Sequence, residues 1–178
     1  VLFGAMGATS APRQGFYELM ESLEKIEASH VELVIFGSER CEDTKDLGFN
    51  VYYLGQLFDD VSLVTLYNSV DVMIVPSLQE NLSNTIMESL ACGVPVVGFD
   101  IGGNADMIDH ERNGYLAKPY STIDLAFGIE WVLNNHNYKI LCQNARNKVL
   151  NNFDSVVLAE KYIELYKSIV DPINETMC

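Results

Sequence analysis

Two glutamates near the middle of the chain suit the binding of a ligand with hydroxyl groups at both ends and phosphate between them. Glu80 lies in a predicted loop, and Glu88 lies about one turn into the helical pattern that follows. If the eight residues from Glu80 to Glu88 were all helical, they would rise ~12 Å, which is comparable to the distance between the two sugars of a sugar nucleotide. Between the carboxylates, the backbone N–H groups of Leu82–Thr85 would be free at a helix N-terminus and would suit a phosphate.

A strand–loop–helix–strand unit positions these residues. The apolar run Val72–Val75 is typical of a buried strand, and the loop Pro76–Leu82 follows it. Gly93 is placed to end the helix, and Val94–Phe99 is a second apolar strand. The residues with helical spacing on one face are Ile86, Met87, Leu90 and Ala91. Such a unit has parallel strands joined by a right-handed crossover, and open sheets of this kind bind ligands beyond the carboxyl ends of their strands.

A purely structural interpretation of the two glutamates stays open at this point. Thr85–Glu88 fits a capping box, in which Glu88 would only stabilise the start of its helix. Glu80 would then be a solvated loop charge. The surroundings of the pair are more specific than either glutamate, because Pro76-Ser77 precedes it and the run Ser89–Val97 follows it.

With these flanks, the stretch resembles the Glu-x7-Glu motif of retaining glycosyltransferases with the GT-B architecture, family 4 in particular. Glu80 and Glu88 stand at its two positions, and Ser89–Val97 matches the run that follows the motif. The resemblance implies that Glu80 is catalytic and contacts the hydroxyls of the transferred sugar, while Glu88 binds the ribose hydroxyls of the donor. It also implies that a stretch of backbone lies along the sugar and phosphates, formed by Asn81, Leu82, Ser83 and Asn84.

The beginning of the chain carries a second part of the resemblance. Strand-like Val1–Gly4 leads into a loop of small residues, Ala5–Gly15, and then into a helix, a layout that cradles phosphates. The family has a glycine-rich loop here, with an arginine and a lysine that bind the donor diphosphate. The resemblance therefore assigns Gly7, Arg13 and Gln14 to the donor site. Gln14 stands where the family has its lysine, which removes one charge-assisted contact to the diphosphate.

Further segments complete the predicted sheet. Val31–Phe36 and Val51–Leu54 are strand-like, and Tyr115–Ala117 forms a last short strand. The resembled family holds the nucleobase through the backbone after the strand at Val51–Leu54, which assigns Gly55 and Leu57 to the donor site. The helical spacing of Val61, Val64, Leu66 and Tyr67 within Val61–Ser69 predicts a structural helix that packs below the next strand.

After the second strand of the central unit, Gly102-Gly103 permits a positive φ and a close approach of backbone. A short helix, Ala105–Ile108, is predicted to follow. The family has a Gly-Gly pair and a short helix at the same place, with a glutamate where this chain has Asp106. A simple turn is the alternative interpretation of the two glycines.

Apolar spacing predicts helices over the rest of the chain, at Ile123–Leu133, Ile140–Leu150 and Val157–Ile169. Pro172–Cys178 is predicted to fray. The last helix carries a stripe of aromatic and aliphatic residues, which are Tyr162, Leu165, Tyr166 and Ile169. Core packing is the default interpretation of this stripe, and an exposed docking face for another domain is the alternative.

Composition excludes several classes of function. The net charge of −14, from 11 basic and 25 acidic residues, argues against nucleic acid as a partner and against broad docking on an anionic membrane. The four cysteines form no Cys-x2-Cys pair, and no histidine has ligand spacing, so no metal site is expected. The unpatterned cysteines indicate a reducing, cytoplasmic compartment.

The sequence therefore predicts an α/β fold, a Rossmann-like three-layer sandwich with a parallel sheet of about six strands, equivalent to the C-terminal half of a GT-B enzyme. Residues 1–178 would form one nucleotide-sugar-binding domain, with residues 155–178 as a C-terminal helix and tail. The chain begins inside a strand and without Met. We therefore expect it to be a fragment of a longer protein, whose N-terminal acceptor domain is absent.

The implied function is transfer of a sugar from a nucleotide-sugar to a saccharide or lipid-linked acceptor, with retention of configuration, in polysaccharide biosynthesis. No metal and no cofactor is expected, since backbone amides and cations would neutralise the diphosphate. The partners expected are the nucleotide-sugar, the acceptor and the protein's own N-terminal domain. We expect the protein in the cytoplasm, at most peripheral to the inner membrane face through the N-terminal domain. Residues 1–178 tested alone should bind donor weakly or not at all and should be inactive.

Two other classes of function stay open. One is a related GT-B enzyme such as a sugar-nucleotide epimerase. The other is a non-catalytic nucleotide-sugar-binding module, which Gln14 favours because it removes a charge at the leaving group. The resemblance leaves the donor base, the sugar and the acceptor open.

Overall fold

The computed structural model describes residues 1–5, 12–27, 31–38 and 50–175, with only the backbone given for residue 12 and residues 171–175. Gly7, one of the predicted donor residues, lies outside the described residues. These ranges contain six strands and seven α-helices, of which the last three helices follow the last strand. The strands are β1 Leu2–Gly4, β2 Leu33–Phe36, β3 Val51–Tyr53, β4 Met73–Val75, β5 Val96–Phe99 and β6 Gly114–Ala117. The helices are α1 Phe16–Leu23, α2 Asp60–Asn68, α3 Asn84–Ala91, α4 Asn104–Met107, α5 Thr122–Leu133, α6 Tyr138–Asn152 and α7 Ser155–Glu175, with a 3-10 turn at Pro12–Gln14.

All six strands pair in parallel, in the order β3-β2-β1-β4-β5-β6, which confirms the predicted sheet. The chain builds outward from β1 to β3 on one side and from β4 to β6 on the other. The strand order therefore reverses between β1 and β4, where Phe3 lies beside Ile74. At such a switch point the connections leave in opposite directions and open a crevice at the carboxyl ends of the strands.

Apolar side chains from alternate strand positions form two cores, one on each face of the sheet. Phe3 and Ile74 pack with Leu19 and Ile129 of α1 and α5. Their neighbours along the strands, such as Leu2, pack on the opposite face with residues of α2, α3 and α6. This alternation of burial produces the predicted three-layer sandwich.

Two predicted helices differ from expectation in what they bury. On α2, Leu66 and Tyr67 are buried in the core that also contains Met73 and Val75 of β4, as predicted, whereas Val61 and Val64 are exposed on the other side of the helix. The stripe on α7 does not join a core, since each of its four residues is more than half exposed. The helix itself continues to Glu175, beyond the predicted end. Among the described residues, no helix is both long and apolar enough to cross a lipid bilayer.

Candidate functional site

A cleft of about 230 Å³ opens at the carboxyl ends of β1 and β4, at the point where the strand order reverses. Its floor is formed by the ends of these two strands, and its walls come from the 3-10 turn before α1 and from the loop between β4 and α3. Six of the predicted donor residues line it, namely Arg13, Gln14, Glu80, Leu82, Ser83 and Asn84. We call this feature the switch-point cleft.

The wall that carries Glu80 is attached to the 3-10 turn through backbone. The N–H of Leu78 donates to the carbonyl of Arg13 at 2.8 Å. Gly15 has φ +72°, and a Cβ there would collide with the carbonyl oxygen of Pro76. The close approach of the two loops therefore requires glycine at this position, which fixes Arg13 beside the loop of Glu80.

The glycine pair after β5 supports the same loop from the other side. Gly103 N–H donates to the carbonyl of Asn81 at 2.7 Å. Gly102 has φ +51°, and a Cβ there would collide with the carbonyl oxygen of Glu80. The prediction of a positive φ and a close approach at this pair is confirmed, and what it approaches is the backbone of Glu80. The short helix follows, one residue earlier than predicted, at Asn104–Met107.

Tyr120 makes a further contact with this loop from the segment between β6 and α5. Its hydroxyl lies 3.5 Å from the carbonyl oxygen of Leu78, and its ring packs 6.1 Å from that of Phe99. Tyr120 has φ +61°, a conformation that costs a non-glycine residue about 1–2 kcal/mol. A strained tyrosine thus bridges the end of the sheet and the wall of the cleft.

The Glu80 side chain is half-buried, and its Oε1 accepts from the N–H of Asn81 at 3.1 Å. Arg13 is exposed and Gln14 is half-buried. Among the described residues that line the cleft, Arg13 carries the positive charge and Glu80 the negative one. The cleft can therefore offer a cation to phosphate and a carboxylate to hydroxyl groups.

Helix α3 begins at the cleft with free donors. Ser83 is the N-cap and its side chain makes no cap hydrogen bond; its hydroxyl lies 2.9 Å from that of Thr85. The first turn is closed by the bond from the N–H of Met87 to the carbonyl of Ser83 at 3.2 Å. The preceding amides lie outside the helical ladder and suit an anion. Because Thr85 is inside the helix, the capping-box alternative is wrong.

Glu88 lies in the middle of α3 and is not part of the cleft wall, although Thr85, one turn before it, is. Its side chain is exposed, and Oε2 accepts from the Tyr67 hydroxyl at 3.0 Å. Neither Glu80 nor Glu88 forms an ion pair with another described residue. Burial, together with the charge and hydrogen bond of Glu88, raises the pKa of the Tyr67 phenol well above its usual range.

Three other predicted residues lie outside the cleft wall. Asn81 is exposed and takes part through its carbonyl, as described above. Gly55 has φ +65°, and its carbonyl accepts from the N–H of Gly37 at 2.6 Å. Leu57 is half-buried against the core that contains Tyr67. Gly55 and Leu57 thus lie between the edge strand β3 and helix α2.

Sequence reasoning missed Tyr67 and Tyr120. In the sequence, Tyr67 is one member of an apolar helical pattern, and Tyr120 belongs to no motif. For Tyr67, no local pattern predicts its bond to Glu88, which is 21 residues away. For Tyr120, the signal was its place directly after Lys118-Pro119, where a turn is expected.

Comparison with known proteins identifies the family and the fold of the chain. The family model described as "Glycosyl transferases group 1" matches residues 1–135. An uncharacterised glycosyltransferase of Methanocaldococcus jannaschii is 30% identical over 164 residues, which cover 87% of this chain and 42% of that protein. The N,N'-diacetylbacillosaminyl-diphospho-undecaprenol alpha-1,3-N-acetylgalactosaminyltransferase of Campylobacter jejuni is 26% identical over 162 residues, covering 88% of this chain and 42% of the relative.

Among solved structures, Anabaena HepE in complex with UDP-glucose superposes with a TM-score of 0.76 at 22% identity. The match covers 94% of this chain and 48% of that one, and at this identity it shows the fold alone. The chain spans about half the length of the curated relatives it matches, with coverage of 42%, 42% and 46% for the first three.

Proposed function

We propose, because the chain belongs to the group 1 glycosyl transferases, that it is the donor-binding part of an enzyme that transfers a sugar from a nucleotide-sugar to a saccharide or lipid-linked acceptor. One observation carries this proposal. Residues assigned to the donor site from two distant parts of the sequence converge on one cleft at the switch point of a parallel sheet, namely Arg13 and Gln14 from one part and Glu80, Leu82, Ser83 and Asn84 from the other. That is where open α/β sheets bind their ligands.

The proposed roles follow from the chemistry of the groups present. Arg13, with Gln14 beside it, faces the diphosphate, and the free amides at the start of α3 bind the same phosphates. Glu80 accepts hydrogen bonds from the hydroxyls of the transferred sugar. Glu88 accepts from the ribose, and the backbone of Gly55 and Leu57 contacts the base. In the reaction, the acceptor's hydroxyl oxygen bonds to the anomeric carbon, its proton leaves, and the nucleoside diphosphate departs.

The names of similar proteins support the class of donor and acceptor. The Anabaena structure holds UDP-glucose, and the Campylobacter relative is named for an N-acetylgalactosaminyl transfer to a diphospho-undecaprenol-linked sugar. We therefore propose a UDP-linked hexose as donor and a lipid-linked or free saccharide as acceptor. A lipid-linked acceptor would bring the whole protein to the inner face of a membrane.

We further propose that the reaction retains anomeric configuration and requires no metal. Amide donors and one cation, already directed at the diphosphate, can stabilise the leaving group without reorganisation during the reaction. Both proposals are measurable on the whole protein. Product anomers distinguish retention from inversion by NMR, and transfer in the presence of EDTA should equal transfer with added Mg²⁺ or Mn²⁺.

The exposed face of α7 supports the proposal that an N-terminal domain completes the enzyme. Seven of its described apolar side chains are each more than half exposed, which are Val156, Tyr162, Ile163, Leu165, Tyr166, Ile169 and Val170. Exposed apolar area of this extent along one helix is typical of an interface. We propose that the N-terminal domain covers it and supplies the acceptor site, so that residues 1–178 alone turn over no donor.

The decisive experiment compares Glu80→Gln with Glu130→Gln in the whole protein. Both glutamates are half-buried, but Glu130 lies on α5, away from the switch-point cleft. We expect Glu80→Gln to lower transfer from UDP-sugars at least about a hundredfold, as loss of one electrostatic contact to the reacting centre does. Glu130→Gln should leave the rate unchanged.

Three results would contradict the proposal. Unchanged transfer by Glu80→Gln would remove the catalytic role of this residue. Release of an epimerised nucleotide-sugar, without transfer, would identify an epimerase. If no nucleoside diphosphate or UDP-sugar shifts the melting temperature of the whole protein, the protein keeps the fold but does not bind the proposed donor.

A further inference from the structure

Tyr67 combines two properties that packing alone does not explain. It is 1% exposed, near the end of α2, and its ring packs edge-on to Phe36 at 6.1 Å. Its hydroxyl nevertheless donates across to another element, to Oε2 of Glu88 on α3 at 3.0 Å. A phenylalanine would fill the same space without the need to satisfy a buried hydroxyl.

The contact has a larger effect on Glu88 than on the core. Glu88 is exposed, and an exposed glutamate ordinarily samples many rotamers. A hydrogen bond from a rigid, buried donor to one carboxylate oxygen restricts that sampling and is stronger for being charge-assisted. Among the described residues no group bonds Oε1, so this oxygen is available to a ligand hydroxyl.

The donor stays protonated throughout the physiological range. Burial and the adjacent Glu88 carboxylate both raise the pKa of the Tyr67 phenol. A phenolate would repel the carboxylate, whereas the neutral phenol donates to it. The pair therefore presents a fixed acceptor with one free oxygen at any pH at which the protein is folded and Glu88 is ionised.

We propose that Tyr67 is a positioning residue that orients the Glu88 carboxylate for the vicinal hydroxyls of a ribose. This inference rests on the proposed function, because Glu88 is the group assigned to the nucleoside. Tyr67, on α2, thereby becomes part of the donor site. It also connects that site to the apolar core that α2 and α3 form on one face of the sheet. The ligand it selects is one with a ribose diol, not simply a diphosphate.

The test measures binding of UDP and of 2',3'-dideoxyuridine diphosphate to the whole protein and its variants by NMR titration, which detects dissociation constants up to the millimolar range. We expect the wild type to bind UDP more tightly than the dideoxy analogue. Tyr67→Phe should weaken UDP about fivefold and leave the analogue unchanged, since only the diol contact is lost. In a Glu88→Ala background, Tyr67→Phe should have no effect on UDP.

Tyr115→Phe is the matched control. Tyr115 is also buried, at 6% exposure, and its hydroxyl also donates to a carboxylate, Oδ1 of Asp124 at 3.3 Å, but this pair joins β6 to α5 and includes no residue assigned to the donor. It should leave both affinities unchanged. Glu88→Asp is the second variant, because it shortens the exposed partner without altering the core. It should weaken UDP to a similar extent and so keeps the test valid if Tyr67→Phe fails to fold.

The outcomes separate this inference from the proposed function. If the wild type prefers UDP to the analogue and Tyr67→Phe keeps that preference, the donor site stands and the role of Tyr67 is overturned. Equal weakening of both ligands by Tyr67→Phe would indicate a structural role and also overturns it. If the wild type binds neither ligand, or does not distinguish them, the assignment of Glu88 to ribose fails and the inference fails with it.

Discussion

At the phosphate end of the proposed donor site the loop of Glu80 is held by main chain, whereas Glu88, the carboxylate assigned to the ribose at the nucleoside end, is held by a side chain. The loop of Glu80 touches the backbone of Arg13, Gly102 and Gly103. Glu88, by contrast, is exposed on α3 and is anchored by one side-chain hydrogen bond from Tyr67. A backbone-built wall has no room for an added methyl group, while a side-chain contact can be weakened without moving the chain. The two ends should therefore respond very differently to substitution.

The largest expected effect is that of Gly102→Ala. The new Cβ would meet the carbonyl oxygen of Glu80, and φ is +51°, so the loop must shift. We expect a loss of about 3 kcal/mol in the free energy of unfolding, measured by urea denaturation. Gly55→Ala is the matched control, because φ is +65° there but nothing lies within 4 Å of the added Cβ. It should cost only about 1 kcal/mol. Equal losses would show that steric contact with the Glu80 loop is unimportant.

Next in size is Arg13→Ala, which removes the positive charge of the cleft without touching a core. A hydrogen bond to a charged group is worth about 1.5–3 kcal/mol, so we expect UDP to bind about 10- to 100-fold more weakly. Uridine, which has no phosphate, should be unaffected, and both are measured by titration calorimetry on the whole protein. Arg112→Ala is the control, since Arg112 is exposed and outside the cleft. A similar loss for uridine would place Arg13 away from the diphosphate.

The raised pKa of Tyr67, at the nucleoside end, predicts that the free energy of unfolding depends on pH in the alkaline range. Its pKa is raised in the folded state, mainly by burial and then by Glu88. Below pH ~10 both folded and unfolded phenols are protonated and the effect is absent. Above that pH the unfolded state loses its proton first, so the free energy of unfolding falls by about 1.4 kcal/mol per pH unit for this group. Tyr67→Phe should flatten the fall between pH 10 and 11. An identical slope in the variant would contradict the shift.

The smallest effect is expected at Tyr120, which contacts the loop of Glu80 at the phosphate end. Tyr120→Gly relieves a positive φ worth about 1–2 kcal/mol but removes the ring contact with Phe99 and the contact with Leu78. We expect the melting temperature to change by less than about 3 °C, because these terms oppose each other. Tyr120→Phe keeps the ring and the strain and should match the wild type. A large loss for Tyr120→Phe would mean that the hydroxyl supports the loop far more than its distance of 3.5 Å suggests.

The difference between the two ends also explains which parts of the site were predictable. The walls at the phosphate end come from residues marked locally by the ends of apolar runs and by glycines, such as Gly15 and Gly102. Those marks describe backbone conformation, which is a local property. The partner of Glu88 is not local, since Tyr67 looks like any other apolar residue of α2 in the sequence.

Periodicity and turn residues were enough to identify the strands, most helices and the parallel α/β class, because alternation and helical spacing record which side of an element is buried. They also placed Arg13 and Glu80 in loops that follow predicted strands. The order of the strands, and hence the switch point between β1 and β4 that joins these residues in one cleft, came only with the folded chain. The same is true of the exposed faces of α2 and α7. A pattern of apolar residues shows that a face avoids water, but what covers that face depends on packing between segments far apart in sequence.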